Sequence, residues 1–165
     1  MGIISNDAVT ILIFRIDDIN YAINIDYVVM VMEAKEIIKI PNMPDYIGGF
    51  IQTNDLAFPI INGKLNINLS TNKFFKNSNI LVLRSDWNEP ISYIGIMVVD
   101  FSDVLTINKN EIKDFPSLGK IYKPLFIEGV IEKDKKLILL LNHLNILTGE
   151  EKVEIRKIFD DILRN

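Results

Sequence analysis

Apolar residues along this chain come in short runs cut by polar turns. Ala8 to Ile16 is apolar and rich in β-branched residues, Asp17-Asp18-Ile19-Asn20 reads as a turn, and Tyr21 to Ile25 resumes the pattern. Two such runs around an acidic turn predict a β-hairpin. A turn at Ile25–Asp26 precedes a strand through Met32, and Glu36 to Ile40 makes a short strand ending at Pro41. The stretch from Ile40 to Ile61 then sets the architecture. Pro41 and Pro44 cap one apolar run, Gly48-Gly49 interrupts the next, and Pro59 sits inside a third, Phe58-Pro59-Ile60-Ile61. Glycine inside a strand pattern marks a bend, a bulge or a close backbone approach, and proline demotes a run to an edge strand or a strand start. Bends around short apolar strands are what a small barrel needs to close.

Asn62 to Lys76 is polar and reads as a loop between two halves of the chain. Beyond it, Ile80–Leu83, Ile91–Val99 and Val104–Ile107 predict strands, with a turn holding Trp87 at Ser85–Pro90 and a loop from Asn108 to Leu118. Pro124–Ile131 and Lys136–Leu141 pair around the polar turn Glu132–Lys135. Asn142 to Leu147 is a short helical piece ended by Gly149. From Glu150 to Leu163 the period changes to that of an amphipathic helix, with Val153, Ile155, Ile158, Phe159, Ile162 and Leu163 apolar. Most of these recur at three and four residues, and the helix is expected to pack that face on a barrel. About ten short strands with turns between them predict an all-β sandwich or a pair of barrels.

Composition narrows the function. The 165 residues are 48% hydrophobic and 24% charged, enough apolar material for an ordered core. A net charge of −4 argues against a nucleic-acid partner, because phosphates need a basic face. With no cysteine, disulfides and thiolate metal sites are excluded. No apolar run is long enough for a transmembrane helix and the N-terminus has no signal-peptide pattern, so a cytoplasmic protein is expected. Mean hydropathy is +0.21, which implies strands buried on two faces or apolar surface covered by partners.

Catalytic chemistry finds no support. His143 is the only histidine and reads as a surface or capping residue beside a helix start. No Gly-x-Ser-x-Gly turn, P-loop, dinucleotide fingerprint or EF-hand pattern is present. Asp17-Asp18, Asp55 and Lys109 loosely mimic a receiver-domain phosphorylation site. Such a site needs parallel strands joined by helices, and Asp18 leads straight into a hairpin. Asp100, Asp103 and Asp160-Asp161 read as solvated residues. No catalytic, metal or cofactor residue is assigned.

A resemblance explains the pattern. Phe14-Arg15-Ile16, Tyr21 to Ile25 and Val28 to Val31 look like the opening of a CheW domain, the chemotaxis coupling module. Pro44-Asp45-Tyr46-Ile47-Gly48-Gly49-Phe50-Ile51 resembles that family's glycine signature, and Phe58-Pro59-Ile60-Ile61 its Ile-Pro-Val strand. Gly95 to Val98, Ser102 to Leu105, Phe126 to Val130 and Leu137 to Asn142 are similar to its second half. The likeness spans residues 8–148, leaving 149–165 as a C-terminal amphipathic helix. It implies an all-β fold of two intertwined five-stranded SH3-like barrels and a non-enzymatic adaptor without cofactors. It also implies partners: the cytoplasmic tips of methyl-accepting chemoreceptors and the regulatory domain of a chemotaxis histidine kinase, with no membrane insertion.

In that family the receptor helix docks in the groove between barrels, where the candidates here are Val28, Met30, Gly49, Asn54, Met97 and Val98. The kinase face is expected at the turn Gln52, Thr53 and Asp55 and on an edge strand carrying Phe58 and Ile60. Phe58→Asp or Ile60→Lys is then expected to weaken kinase binding in a native fold. Two departures stand out. Gln52-Thr53-Asn54-Asp55 replaces the Asn-Leu-Arg-Gly of many relatives, and Met30 stands where relatives often have Glu. Rival readings are a small-molecule-binding β-barrel module and a CheW-like protein with a different protein partner.

Overall fold

The computed structural model describes residues 7–33, 37–39, 41–53, 56–61, 79–85, 93–114 and 126–164. Eleven strands occur among them. They are β1 (Ala8–Ile16), β2 (Ile19–Asn24), β3 (Val28–Glu33), β4 (Gly49–Gln52), β5 (Ala57–Ile60), β6 (Asn79–Arg84), β7 (Tyr93–Val98), β8 (Asp100–Asn108), β9 (Ile112–Lys113), β10 (Ile127–Lys133) and β11 (Lys136–Leu141), followed by helix α1 (Gly149–Arg164). One sheet has the order β8-β1-β2-β11-β10-β9 and the other β3-β6-β7-β5-β4. The expected class holds: the protein is mostly β, in two sheets, with one C-terminal helix. The two-residue β9 gives the first sheet its sixth strand.

The chain's organisation differs from the expected two halves. The second sheet, β3 to β7, is inserted whole between β2 and β8 of the first. The run 62–76 lies outside the described residues, and its flanking strands β5 and β6 belong to the same sheet. A 3₁₀ turn, Ile25–Tyr27, carries the chain from β2 into β3, with Asn24 capping it through Asp26 N. A single residue, Val99, carries it back from β7 to β8, and its N–H donates to Arg15 O at 2.9 Å. Such short links leave the sheets no freedom to separate.

β1 shows why contiguous apolar runs were needed. Its even positions Leu12, Phe14 and Ile16 join the large core shared with the second sheet and α1. Its odd positions Ile11 and Ile13 join a smaller core with Ala22, Ile131, Ile138 and Leu140. Alternate side chains point to opposite faces, so a strand buried on both reads as an unbroken apolar run. β6 goes further, with Ile80, Leu81, Val82 and Leu83 all fully buried. Two-faced burial thus accounts for much of the high hydropathy.

Several expected boundaries move. The first hairpin turns on Asp17-Asp18 alone, with Asp17 at φ 50°. The last turns on Asp134-Lys135 rather than four residues, and both have positive φ, 51° and 64°, as a tight two-residue hairpin turn requires. Val104–Ile107 is the middle of the longer β8, and the loop expected after it contains the 3₁₀ turn Lys109–Glu111 and β9. In place of a strand at Glu36–Ile40 there is one bridge, Ile38 to Phe50; Glu36 and Ile40 lie outside the described residues, as does Trp87. Gly149 opens α1 instead of ending the preceding turn, which is His143–Asn145. Thr148 and Glu151 cap the helix reciprocally: Glu151 N donates to Thr148 Oγ1 at 3.1 Å and Thr148 N to Glu151 Oε1 at 2.8 Å.

Phe58–Ile60 is the largest correction. β5 is an inner strand between β4 and β7, not an edge. Pro59 is tolerated there because contact with β7 is brief: Ile60 opposite Gly95, and Ile61 N to Gly95 O at 3.0 Å.

Gly49 is a close approach of two backbones. Its φ is 145°, and an added Cβ would run into Ile37 Cγ2 and lie 2.8 Å from Ile38 O. Gly49→Ala is therefore expected to lower stability by about 1–3 kcal/mol through overpacking and a disfavoured φ, read as a shift of the urea midpoint. A midpoint equal to that of the parent would show that this approach is not tight.

Candidate partner-binding surfaces

An adaptor acts through what it leaves exposed, and the candidate residues divide sharply on that measure. Met97, Val98, Phe58 and Ile60 are 0% exposed, and Gly49 is buried against Ile37 and Ile38. Met97 and Val98 sit on β7, covered by β6 on one side and β5 on the other. These five residues are core, and present no side-chain surface to a partner in this fold. Asn54 and Asp55 lie outside the described residues.

Four candidates keep access: Val28 and Met30 on β3, and Gln52 and Thr53 at the end of β4. Among the described residues β3 is an edge strand, paired with β6, and its register shifts between Val28 and Met30. Met30 is 39% exposed and its neighbour Val31 46%, while Val28, Val29 and Met32 are half-buried against the large core. Tyr27 begins the same surface and packs on His143, with ring centroids 4.2 Å apart and the rings tilted by 38°. His143 is buried rather than at the surface, and it anchors the half-exposed tyrosine. Leu144, also partly exposed, follows it. The strand thus exposes apolar side chains on both faces, Met30 on one and Val31 on the other, with Tyr27 at its start. Sequence reasoning singled out Val28 and Met30 and did not reach Val31.

The second surface is a closed turn. Thr53 N donates to Leu56 O at 2.7 Å, and Leu56 N donates to Thr53 Oγ1 at 3.0 Å. This pair pins residues 53 and 56 together, and Gln52 before it is exposed. Beside Gln52 lies a notch of about 40 Å³ lined by Phe50, Ile51, Ala57, Ile38, Phe159 and Ile162. Sequence reasoning did not bring α1 to this place.

Charged groups elsewhere are structural. Arg15 holds Asp100 through two contacts, 3.1 and 3.4 Å, across the β1–β8 register. That hydrogen bond, with Asp100's charge, raises the guanidinium's pKa. Lys133 lies 3.7 Å from Asp103. Among the described residues no three His, Asp or Glu side chains converge as metal ligands, and no helix is long and apolar enough to cross a membrane.

The CheW-like domain family model matches residues 10–151, a span that takes in both sheets. The chain belongs to the CheW-like domain family. The chemotaxis protein CheW of Klebsiella aerogenes is 24% identical over 140 residues, 85% of this chain and 82% of that one. The chemotaxis protein CheW of Bacillus subtilis is 21% identical over 139 residues, 84% of this chain and 86% of that one. Among solved structures, the scaffolding protein TtCheW from Thermoanaerobacter tengcongensis superposes with a TM-score of 0.73 at 23% identity, covering 93% of this chain and 97% of that one. The CheW-like role is that of a chemotaxis scaffold, and it fits a molecule whose exposed candidates are edges and turns rather than a cleft. The TtCheW likeness carries the SH3-like barrel architecture to both sheets.

Burial separates the two groups by experiment. Phe58→Asp and Ile60→Lys place a charge in the core and are expected to cost more than about 3 kcal/mol, or to prevent folding. Met30→Glu and Val31→Lys are expected to stay within about 0.5–1 kcal/mol of the parent. Denaturant melts of the four variants check this, and a native-like Ile60→Lys protein would contradict the placement of β5.

Proposed function

We propose that this chain is a non-enzymatic adaptor that couples chemoreceptor tips to the regulatory domain of a chemotaxis-type histidine kinase in the cytoplasm. The observation that carries the reading is the CheW-like match across both sheets. The exposure pattern supports it. A scaffold needs two surfaces that do not compete, and the accessible candidates lie on different strands, Val28 and Met30 on β3 and Gln52 and Thr53 at the end of β4.

The receptor helix docks along the edge of β3, at Tyr27 and Met30. The kinase domain docks at the Gln52–Thr53 turn. Met30 makes the first surface apolar where many relatives carry an acidic residue, and this favours a receptor with an aliphatic contact there. Methionine suits such a contact because its side chain is flexible and polarizable. Residues 8–148 form the adaptor unit, and α1 follows it.

Calorimetric titration against the regulatory domain of each chemotaxis-type kinase, and against receptor-tip fragments, tests the reading. Binding at micromolar Kd or tighter to one of each is the expected result. Met30→Glu should weaken the receptor fragment by about 3- to 10-fold and leave the kinase domain unaffected, and Gln52→Lys should do the reverse. Failure of the parent protein to bind any kinase domain or receptor fragment would overturn the coupling function.

A further inference from the structure

The C-terminal helix does more than cover apolar surface. The family model ends at residue 151, so all but the first turn of α1 lies beyond it. The helix nonetheless reaches into the part of the second sheet that leads to the Gln52–Thr53 turn, and it holds that part at two levels.

The first level is the segment before β4. Tyr46 OH donates to Glu154 Oε1 at 2.6 Å and lies 3.4 Å from Glu151 O. Burial, and then the bond to Glu154, push the phenol's pKa above its ordinary value, so Tyr46 remains a donor throughout the neutral range. Only Ile47 separates Tyr46 from Gly48, whose N–H donates to Ile60 O at 2.6 Å on β5.

The second level is β4 itself. Phe159 meets Phe50 edge to face at 4.7 Å, and Ile155 and Phe159 are almost wholly buried. The last turn of the helix then overhangs the sheet. Ile162, in the middle of the apolar stripe by spacing, stays 39% exposed and shares the notch with Gln52. Among the described residues, the outer pairing of β4 is the Ile38 bridge. An edge strand so short and so sparsely paired takes its position from what packs on it.

We propose that α1 is a strap that sets the position of β4 and the Gln52–Thr53 turn, so that a protein docking on that turn and the docking of α1 on β4 favour each other. Tyr46 and Glu154 are positioning residues for this contact and do not touch the partner. The proposal rests on the assignment of the turn to the kinase domain. By linkage, whatever holds α1 down strengthens binding at the turn, and binding at the turn must protect α1 by the same factor.

The test combines amide hydrogen exchange with calorimetry on the full chain. Tyr46→Phe removes one hydrogen bond and keeps the ring. It is expected to speed exchange of the amides of residues 49–53 while those of β6 stay unchanged, and to weaken the kinase regulatory domain roughly 5- to 20-fold. Glu154→Gln keeps an oxygen that accepts from Tyr46 and should behave as the parent; a merely destabilised Tyr46→Phe protein would speed exchange in β6 as well. Binding of the kinase domain to the parent should slow exchange across residues 151–160. Unchanged exchange at residues 49–53 in Tyr46→Phe, or unchanged protection of α1 on binding, overturns the strap. A parent that binds no kinase domain overturns the assignment of the turn, and the coupling to that partner with it. A parent that binds normally while Tyr46→Phe binds equally well overturns the coupling alone.

Discussion

Everything in this fold depends on β1 being buried on both faces. Its even residues serve the large core and its odd residues the small one, so this nine-residue strand, with β2, β10 and β11 beside it, walls two packed interiors. Neither core can form without it. Strands that flank it, β2 and β8, lie far apart in sequence because the second sheet is inserted between them. The crossings are one 3₁₀ turn and the single residue Val99. Burying apolar area at roughly 25 cal/mol per Å² rewards this only if both sheets are present together.

That constraint decides where function can reside. Strands committed to two-faced burial, β1, β6 and β7, have almost no side chain to offer a partner. Access is left to edges and strand ends, which is where β3 and the Gln52–Thr53 turn lie. The edge β3 exposes Met30 and Val31, and among the described residues it has a neighbour on one side only. After β4, backbone and hydroxyl bonds tie Thr53 to Leu56. The helix α1 packs on β4, with Phe159 edge to face on Phe50.

Substituted contact positions also acquire a physical meaning. Met30 occupies an exposed edge position, so a thioether in place of a charge there alters the surface without disturbing the core. Positions that resemble the family's and are buried, such as Met97 and Gly49, are kept by packing and tell nothing about partner choice.

Much was legible in the sequence alone. Short apolar runs between polar turns stated an all-β chain, the change of period after Thr148 stated the helix, and Gly49 announced a close backbone approach. The order of family-like segments stated the CheW-like fold. Burial of individual residues was not legible, and β5 shows why. Phe58-Pro59-Ile60-Ile61 reads as an edge because proline removes a donor, yet only the strand order reveals that its contact with β7 is too brief to need that donor. His143 was equally ambiguous, since its packing on Tyr27 joins residues more than a hundred positions apart. Local pattern reports what each strand can bury. Which neighbour lies on each side is decided by long-range pairing, and that pairing alone separated core from contact surface.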